Sequence, residues 1–499
     1  MKSHSTKPRL SWRTILSYSV GDLFGGGAFT LVGLLFLKYL TDSALIAGSI
    51  AGSMLLIGKI WDALIDPFIG SLSDRARSRH GRRRVFFLAG IFHIVAAFAL
   101  LWLPLQAEMW VKVIYYTVAY LLFATSFSMT MVPYHAMLPD LTSDYGERNR
   151  IVGVRSVLSN FSTLLSGVVP MMIINAFVSQ QNGYFGMGIA FGIFYAIPWI
   201  FVFRGTKGYD RSSVTDEGKT YSLIKGFFTN AKQVSRNRTY RIQLATYILA
   251  YTATDIFMAI LLYYIDDYLF MHASYTALIG IFIITQMIFV AVYVKLANRI
   301  GKKKAFMLGA GIWSLGLVMG LFMNPEAPVT FLYAIAFVMG AGASGTAFLP
   351  WAMLPEITDV EQLISSKRRE GIYSGFMTFL RQLAQAIALF LTGVYIDLIG
   401  YQVPLIPGET LLQSLQTQQG IKWFFSLAPV LLLLAAIVVV RRYPINPETY
   451  RIMKEEIARR SAGEPAEKVS PETKRVCELV SGHPYENLWK DDSTNDASA

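Results

Sequence analysis

Stretches of about twenty apolar residues recur from Ile15 to Val440, separated by short polar or basic connections. Each is long enough to cross the hydrocarbon of a bilayer as a helix. Twelve such spans are predicted, over 12–40, 44–73, 84–105, 110–138, 150–177, 183–204, 240–269, 274–297, 304–323, 328–354, 368–399 and 420–441. With 54% hydrophobic and only 16% charged residues in 499, the chain has more apolar surface than a soluble core would need. It reads as an all-α integral membrane protein.

The net charge of +12 would suit a nucleic-acid binder if the basic residues formed one patch. They fall instead in alternate loops. Arg75, Arg77, Arg79, Arg82, Arg83 and Arg84 form one group, followed by Arg148 and Arg150, by Arg299 and Lys302 to Lys304, and by Lys367 to Arg369. The opposite loops, around Gln106, Gln180 to Tyr184, Asn324 to Pro328 and Gln402 to Gln419, are nearly free of them. Such asymmetry orients a multi-pass protein with its basic loops in the cytoplasm. Both termini are then cytoplasmic, no nucleic-acid partner is expected, and the basic start Met1 to Arg13 leads into a span too long for a cleaved signal. Cys477 is the single cysteine, so disulfides and cysteine-based metal sites are excluded.

The chain repeats itself. Ala136-Met-Leu-Pro-Asp-Leu-Thr142 returns as Ala352-Met-Leu-Pro-Glu-Ile-Thr358, and the basic run at Arg82 to Arg84 returns at Lys302 to Lys304. Two parallel six-helix repeats fit both matches. The expected organisation is a first bundle over 1–205, a cytoplasmic central loop over 206–239, a second bundle over 240–442 and a cytoplasmic tail over 443–499. Within the tail, Pro447 to Arg460 suits a polar surface helix, and the Pro-, Ser- and Glu-rich sequence beyond Ser461 suits flexible chain.

An ionised Asp near the bilayer centre costs about 3 kcal/mol on insertion scales, so each needs a partner, water or a function. Lys59-Ile-Trp-Asp62-Ala-Leu-Ile-Asp66-Pro67 puts Lys59, Asp62 and Asp66 along one helix face. Two carboxylates one turn apart supply oxygen ligands to a small cation, or share a proton. The alternative is that Lys59 merely neutralises Asp62 while Asp66 caps or hydrates the helix before Pro67.

Trp61-Asp62-Ala63-Leu64-Ile65-Asp66-Pro67, followed by Gly70, resembles the second-helix signature of the glycoside-pentoside-hexuronide:cation symporters, the melibiose permease family. Tyr18-Ser-Val-Gly-Asp22, Val132-Pro-Tyr134, Glu147-Arg148 with Arg155, and Arg368-Arg-Glu-Gly-Ile372 extend the resemblance over most of 12–455. It implies a major-facilitator fold, alternating access, and sodium, lithium or a proton as coupling ion at Asp62, Asp66 and Ser128. Gly70-Ser-Leu-Ser-Asp74-Arg75 continuing to Arg82 and Arg83 resembles the superfamily's loop motif, with Lys59, Asp74, Arg75, Arg82 and Arg83 as gating residues.

Candidate solute contacts are Asp22, Tyr134, Arg155, Asp255, Trp351, Arg381 and Gln382, all ionisable, polar or aromatic groups inside spans. The galactoside-gripping acids of the melibiose permease correspond to Gly26 and Met131, and its helix-eleven basic residue to Gln382, beside Arg381. A different sugar is therefore expected. The lysophosphatidylcholine symporters share the helix-two signature, and Gly25-Gly26-Gly27 with Met129 and Met131 would widen and grease a cavity for such a cargo. A non-transporting receptor or scaffold is the remaining alternative. No phosphate-binding loop, metal-ligand cluster or nucleophile-base arrangement points to an enzyme. The expected protein is a monomeric, cofactor-free importer in a bacterial cytoplasmic membrane.

Overall fold

The computed structural model describes residues 10–142, 144–209, 234–404, 406, 411–464 and 469–489. Most of the expected central loop and the last ten residues lie outside them. The helices are α1 (Trp12–Ser43), α2 (Gly48–Arg75), α3 (Arg84–Leu101), α4 (Met109–Leu141), α5 (Tyr145–Ile174) and α6 (Gln180–Gly205). They continue as α7 (Arg238–Tyr268), α8 (Tyr275–Ile300), α9 (Lys302–Gly320), α10 (Val329–Ser365), α11 (Glu370–Leu398) and α12 (Leu415–Val440). Eleven are long and apolar enough to cross a membrane by composition. The twelfth, α9, has 19 residues and opens on three lysines, which dilute its hydropathy.

Two compact units emerge, and they cut across the sequence halves. One contains 1–218, 258–283 and 386–421, and the other 219–257, 284–385 and 422–499. In the first, α1 packs on α5 and α6, α2 on α4, and α3 on α4 and α6. Small residues set the spacing: a Cβ on Gly26 would lie 2.5 Å from the Ser159 carbonyl oxygen, and one on Gly27 would lie 2.3 Å from Ser162 Oγ. The glycine run thus seats α1 against α5 by close backbone approach. At Gly26 and Gly27 the run is therefore taken up in helix packing. Phe24, Tyr195 and Trp199 interlock edge to face in the core beside it.

In the second unit α9 packs along α10, and the tail is built onto α10 as well. Helix α13 (Pro447–Ser461) starts on an Asn446 capping box, and α14 (Pro471–Ser481) follows where flexible chain is expected. Polar composition hides the apolar side of α14, where Cys477 and Val480 are fully buried. Beyond it, the Trp489 N–H donates to the Leu363 and Ile364 carbonyls that end α10, satisfying acceptors a helix end leaves open. Glu456 of α13 takes hydrogen bonds from Arg459 and Arg460 at 2.8 and 2.7 Å and from Tyr485. Burial alone would raise its carboxyl, but these donors outweigh burial and hold it below the usual range.

Candidate functional site

Helix α2 carries Asp62 inward, with 1% of the residue exposed. Ser128 of α4, equally buried, donates to Asp62 Oδ1 at 3.2 Å. Lys59, one turn earlier, holds its ammonium 3.7 Å from Asp62 Oδ2 and 3.3 Å from the centre of the Phe29 ring. That separation is an ion pair and too long for a hydrogen bond. Asp62 Oδ2 is in fact buried without a hydrogen-bond partner. Asp66 follows one turn on and is half-buried. The neighbouring Trp61 donates its indole N–H to Thr125 Oγ1 at 2.9 Å, fixing α2 on α4.

A buried carboxylate oxygen without a donor is costly unless something else meets it. The groups around it are a second carboxylate one turn away and a hydroxyl, all hard oxygens of the kind small monovalent cations prefer. Lys59 belongs to this cluster by position. The other expected gating residues lie at the basic-loop end, where Arg83 reaches Asp74 at 2.9 Å and Asp140 at 2.6 Å, and Arg82 stands 3.8 Å from Asp140. Arg75 is exposed in the last turn of α2. The repeat is physical here: Arg83 donates to the Ala136 carbonyl and pairs with Asp140, while Lys302 donates to the Ala352 carbonyl and pairs with Glu356.

Two further polar sets sit inside spans. In the first unit, Asp22 accepts from Tyr134 Oη at 2.9 Å and from two nitrogens of Arg155, Nε and Nη2. Tyr18 stacks on Tyr134 at 4.4 Å between centroids and donates to the Tyr134 carbonyl. In the second unit, Arg381 grips Asp255 with both terminal nitrogens at 2.6 and 2.7 Å, and Gln385 adds a bond of 3.2 Å. The guanidinium lies 4.9 Å from the Tyr251 ring centre, whose hydroxyl accepts from Trp351 Nε1 at 3.1 Å. Trp351 keeps 40% of its surface exposed. Gln382 is half-buried beside this set. Tyr18, Tyr251 and Gln385 are absent from the sequence candidates. The signal for the last two was helical spacing, since Tyr251 precedes Asp255 by four residues and Gln385 follows Arg381 by four.

Residues 17–447 match the protein family described as MFS/sugar transport protein. An uncharacterized symporter of Synechocystis sp. is 26% identical, covering 92% of this chain and 99% of its own. A proposed sulfoquinovose importer of Salmonella typhimurium is 28% identical over 91% and 94% of the two chains, and a glucuronide carrier protein homolog of Escherichia coli 25% identical over 91% and 96%. Among solved structures, a bacterial homolog of the human lysosomal transporter Spinster, in an inward-facing and unoccupied conformation, superposes with a TM-score of 0.62 at 11% identity. It covers 87% of this chain and 98% of that one, and supports the fold alone. Fold, second-helix signature and family match agree: the chain belongs to the MFS/sugar transport protein family, as a transporter of the glycoside-pentoside-hexuronide symporter type and not an enzyme.

Proposed function

We propose that this protein is a cation-coupled symporter that imports a sugar-type solute, carrying sodium or a proton at Asp62, Asp66 and Ser128. The observation that carries this reading is the buried Asp62 oxygen that no donor satisfies, with Lys59 held at ion-pair rather than hydrogen-bond distance. A cation arriving there completes the oxygen's coordination and competes with Lys59, whose ammonium retains the Phe29 face as an alternative partner.

The solute is a glycoside, pentoside, hexuronide or oligosaccharide, in keeping with the sugar-acid and sulfosugar names of two relatives. Asp22 with Arg155 and Tyr134, and Arg381 with Asp255, Gln385 and Trp351, offer the donors, acceptors and aromatic faces that sugars need. Gln382 stands beside them. The basic loops face the cytoplasm of a bacterial cell and the ends of α1 and α7 near Asp42 and Asp267 face outward. Changing ion pairs around Asp74, Arg82 and Arg83 gate the inner side. An amphipathic cargo draws no support from Gly26 and Gly27, which are taken up in helix packing.

The test is uptake into proteoliposomes under an imposed sodium or proton gradient, with labelled hexuronides, pentosides, disaccharides and a lysolipid. Accumulation of a sugar that collapses with the cation gradient is expected. Uptake only to equilibrium, under either gradient and for every solute, would refute the symport reading.

A further inference from the structure

The end opposite the basic loops holds a charge cluster that no part of the cation or solute sets uses. Helices α1 and α7 each finish in a π turn, at Tyr39–Ser43 and Tyr264–Tyr268, a rare element that concentrates at functional positions. The two turns are copies of one another. Ala44 N–H donates to the Tyr39 carbonyl and Leu269 N–H to that of Tyr264, while Ile46 and Met271 close the next ring. Each turn is then followed by a non-glycine residue in the left-handed region, Leu45 at φ 62° and Phe270 at φ 56°. Side chains rarely take that conformation, and its recurrence at equivalent places implies that it is held there.

The duplication places Asp42 and Asp267 at matching positions, yet a single cation serves both. Lys38 pairs with Asp42 at 2.8 Å and with Asp267 across the chain, and takes the Tyr401 hydroxyl at 2.9 Å. Its ammonium lies 4.4 Å from the ring centre of Tyr263, which occupies the position matching Lys38 in the second half. The Lys38 side chain is 5% exposed. Tyr401 also donates to Asp42, and Thr41 meets the Tyr263 hydroxyl at 2.9 Å. Asp266 beside Asp267 is occupied by His272 at 2.8 Å. Alongside, Asp397 of α11 accepts the Gly48 and Ser49 N–H groups that open α2, and a Cβ on Gly393 would lie 2.2 Å from the Gly48 carbonyl oxygen. A cavity of about 670 Å³ is lined in part by Lys38, Asp42, Asp267 and Tyr401.

We propose that Lys38, Asp42, Asp267 and Tyr401 form an ionic lock closing the outer ends of α1, α7 and α11, which breaks and re-forms in each transport cycle. One ammonium between two carboxylates makes the lock switchable. Closed, it offsets their mutual repulsion; without it, two half-buried carboxylates share one tyrosine hydroxyl and push α1 from α7. Only Asp267 pairs across the chain, since Asp42 lies on the same helix as Lys38. The two acids therefore have unequal roles. The lock assumes the outward orientation given above and is independent of which ion or solute is carried.

The experiment uses Thr41→Cys as a reporter in sealed membrane vesicles with a membrane-impermeant maleimide, without added solute or coupling cation. Background is low, because Cys477 is buried and its thiol is pushed up to about 12. Labelling from outside is expected to speed up about tenfold on Lys38→Gln, less on Asp267→Asn, and scarcely on Asp42→Asn. The exchange Lys38→Asp with Asp267→Lys should slow it again. Thermal unfolding of each variant separates opening from misfolding. Unchanged labelling in the folded Asp267→Asn and Lys38→Gln proteins, or equal effects of the two Asp→Asn changes, would overturn the lock. Acceleration confined to inside-out vesicles would overturn the orientation and the outer gate with it, leaving the symport test above unaffected.

Discussion

Asp62 and Asp255 are both buried carboxylates on membrane helices, 1% and 7% exposed, and both have a basic neighbour. Their accounts close differently. Asp255 receives two short bonds from Arg381 and a third from Gln385, so its oxygens are spoken for. Asp62 receives one bond of 3.2 Å on Oδ1, while Oδ2 faces an ammonium 3.7 Å away. A planar guanidinium fits a carboxylate in two places at once; a lysine ammonium does not. The contrast teaches that a membrane carboxylate kept for an exchangeable ligand is recognised less by burial than by what its partners leave unsatisfied.

The largest effect expected from breaking this contrast is at Asp62. Asp62→Asn should abolish gradient-driven accumulation while the protein still inserts and folds, measured by uptake and by thermal unfolding of the purified protein. At Asp255 the expected loss includes stability, because Asp255→Asn strands the Arg381 charge. It should cost about 3 kcal/mol of stability, the low end for a broken buried pair because Arg381 keeps some solvent contact, and read as a lower Tm. A Ser128→Ala change removes one hydroxyl from Oδ1. It should weaken the coupling cation about fivefold, near 1 kcal/mol, with maximal uptake retained, as seen in cation-dependence curves. The smallest effect lies in the tail. Glu456 has its carboxyl depressed in the folded state, so its contribution is present above the ordinary carboxylate range and is lost as pH falls through the lower, folded value. Protease cleavage of the tail should rise on acidification in the native protein and be flat in Glu456→Gln.

Hydropathy made the spans legible because the bilayer imposes one length on each of them. The α9 lysines blurred only that span's edge. Asp62 was within reach of helical spacing, and Ser128 only through the resemblance, which links α2 to α4. The Lys38 cluster was not, since Asp267 and Tyr401 lie 229 and 363 residues away and nothing local marks their meeting. Its trace was the paired run of Tyr39-Leu-Thr-Asp42 and Tyr264-Ile-Asp-Asp267, too short and divergent to read as a repeat without the π turns. The glycines of α1 read as open space, whereas close packing is what a missing side chain permits. Helix α14 was obscured because its few apolar residues sit among charged ones, and burial of one narrow side suffices to dock it.

The central claim is that Asp62 holds a cation that moves with the solute. Proteoliposomes containing wild-type protein or Asp62→Asn are supplied with the transported sugar, and cation entry is followed with radiosodium and an internal pH dye together. Solute-dependent entry of one of the two cations is predicted for the wild type, with none in Asp62→Asn. Equal solute-dependent cation entry in both proteins, or sugar accumulation with no cation movement, would contradict it.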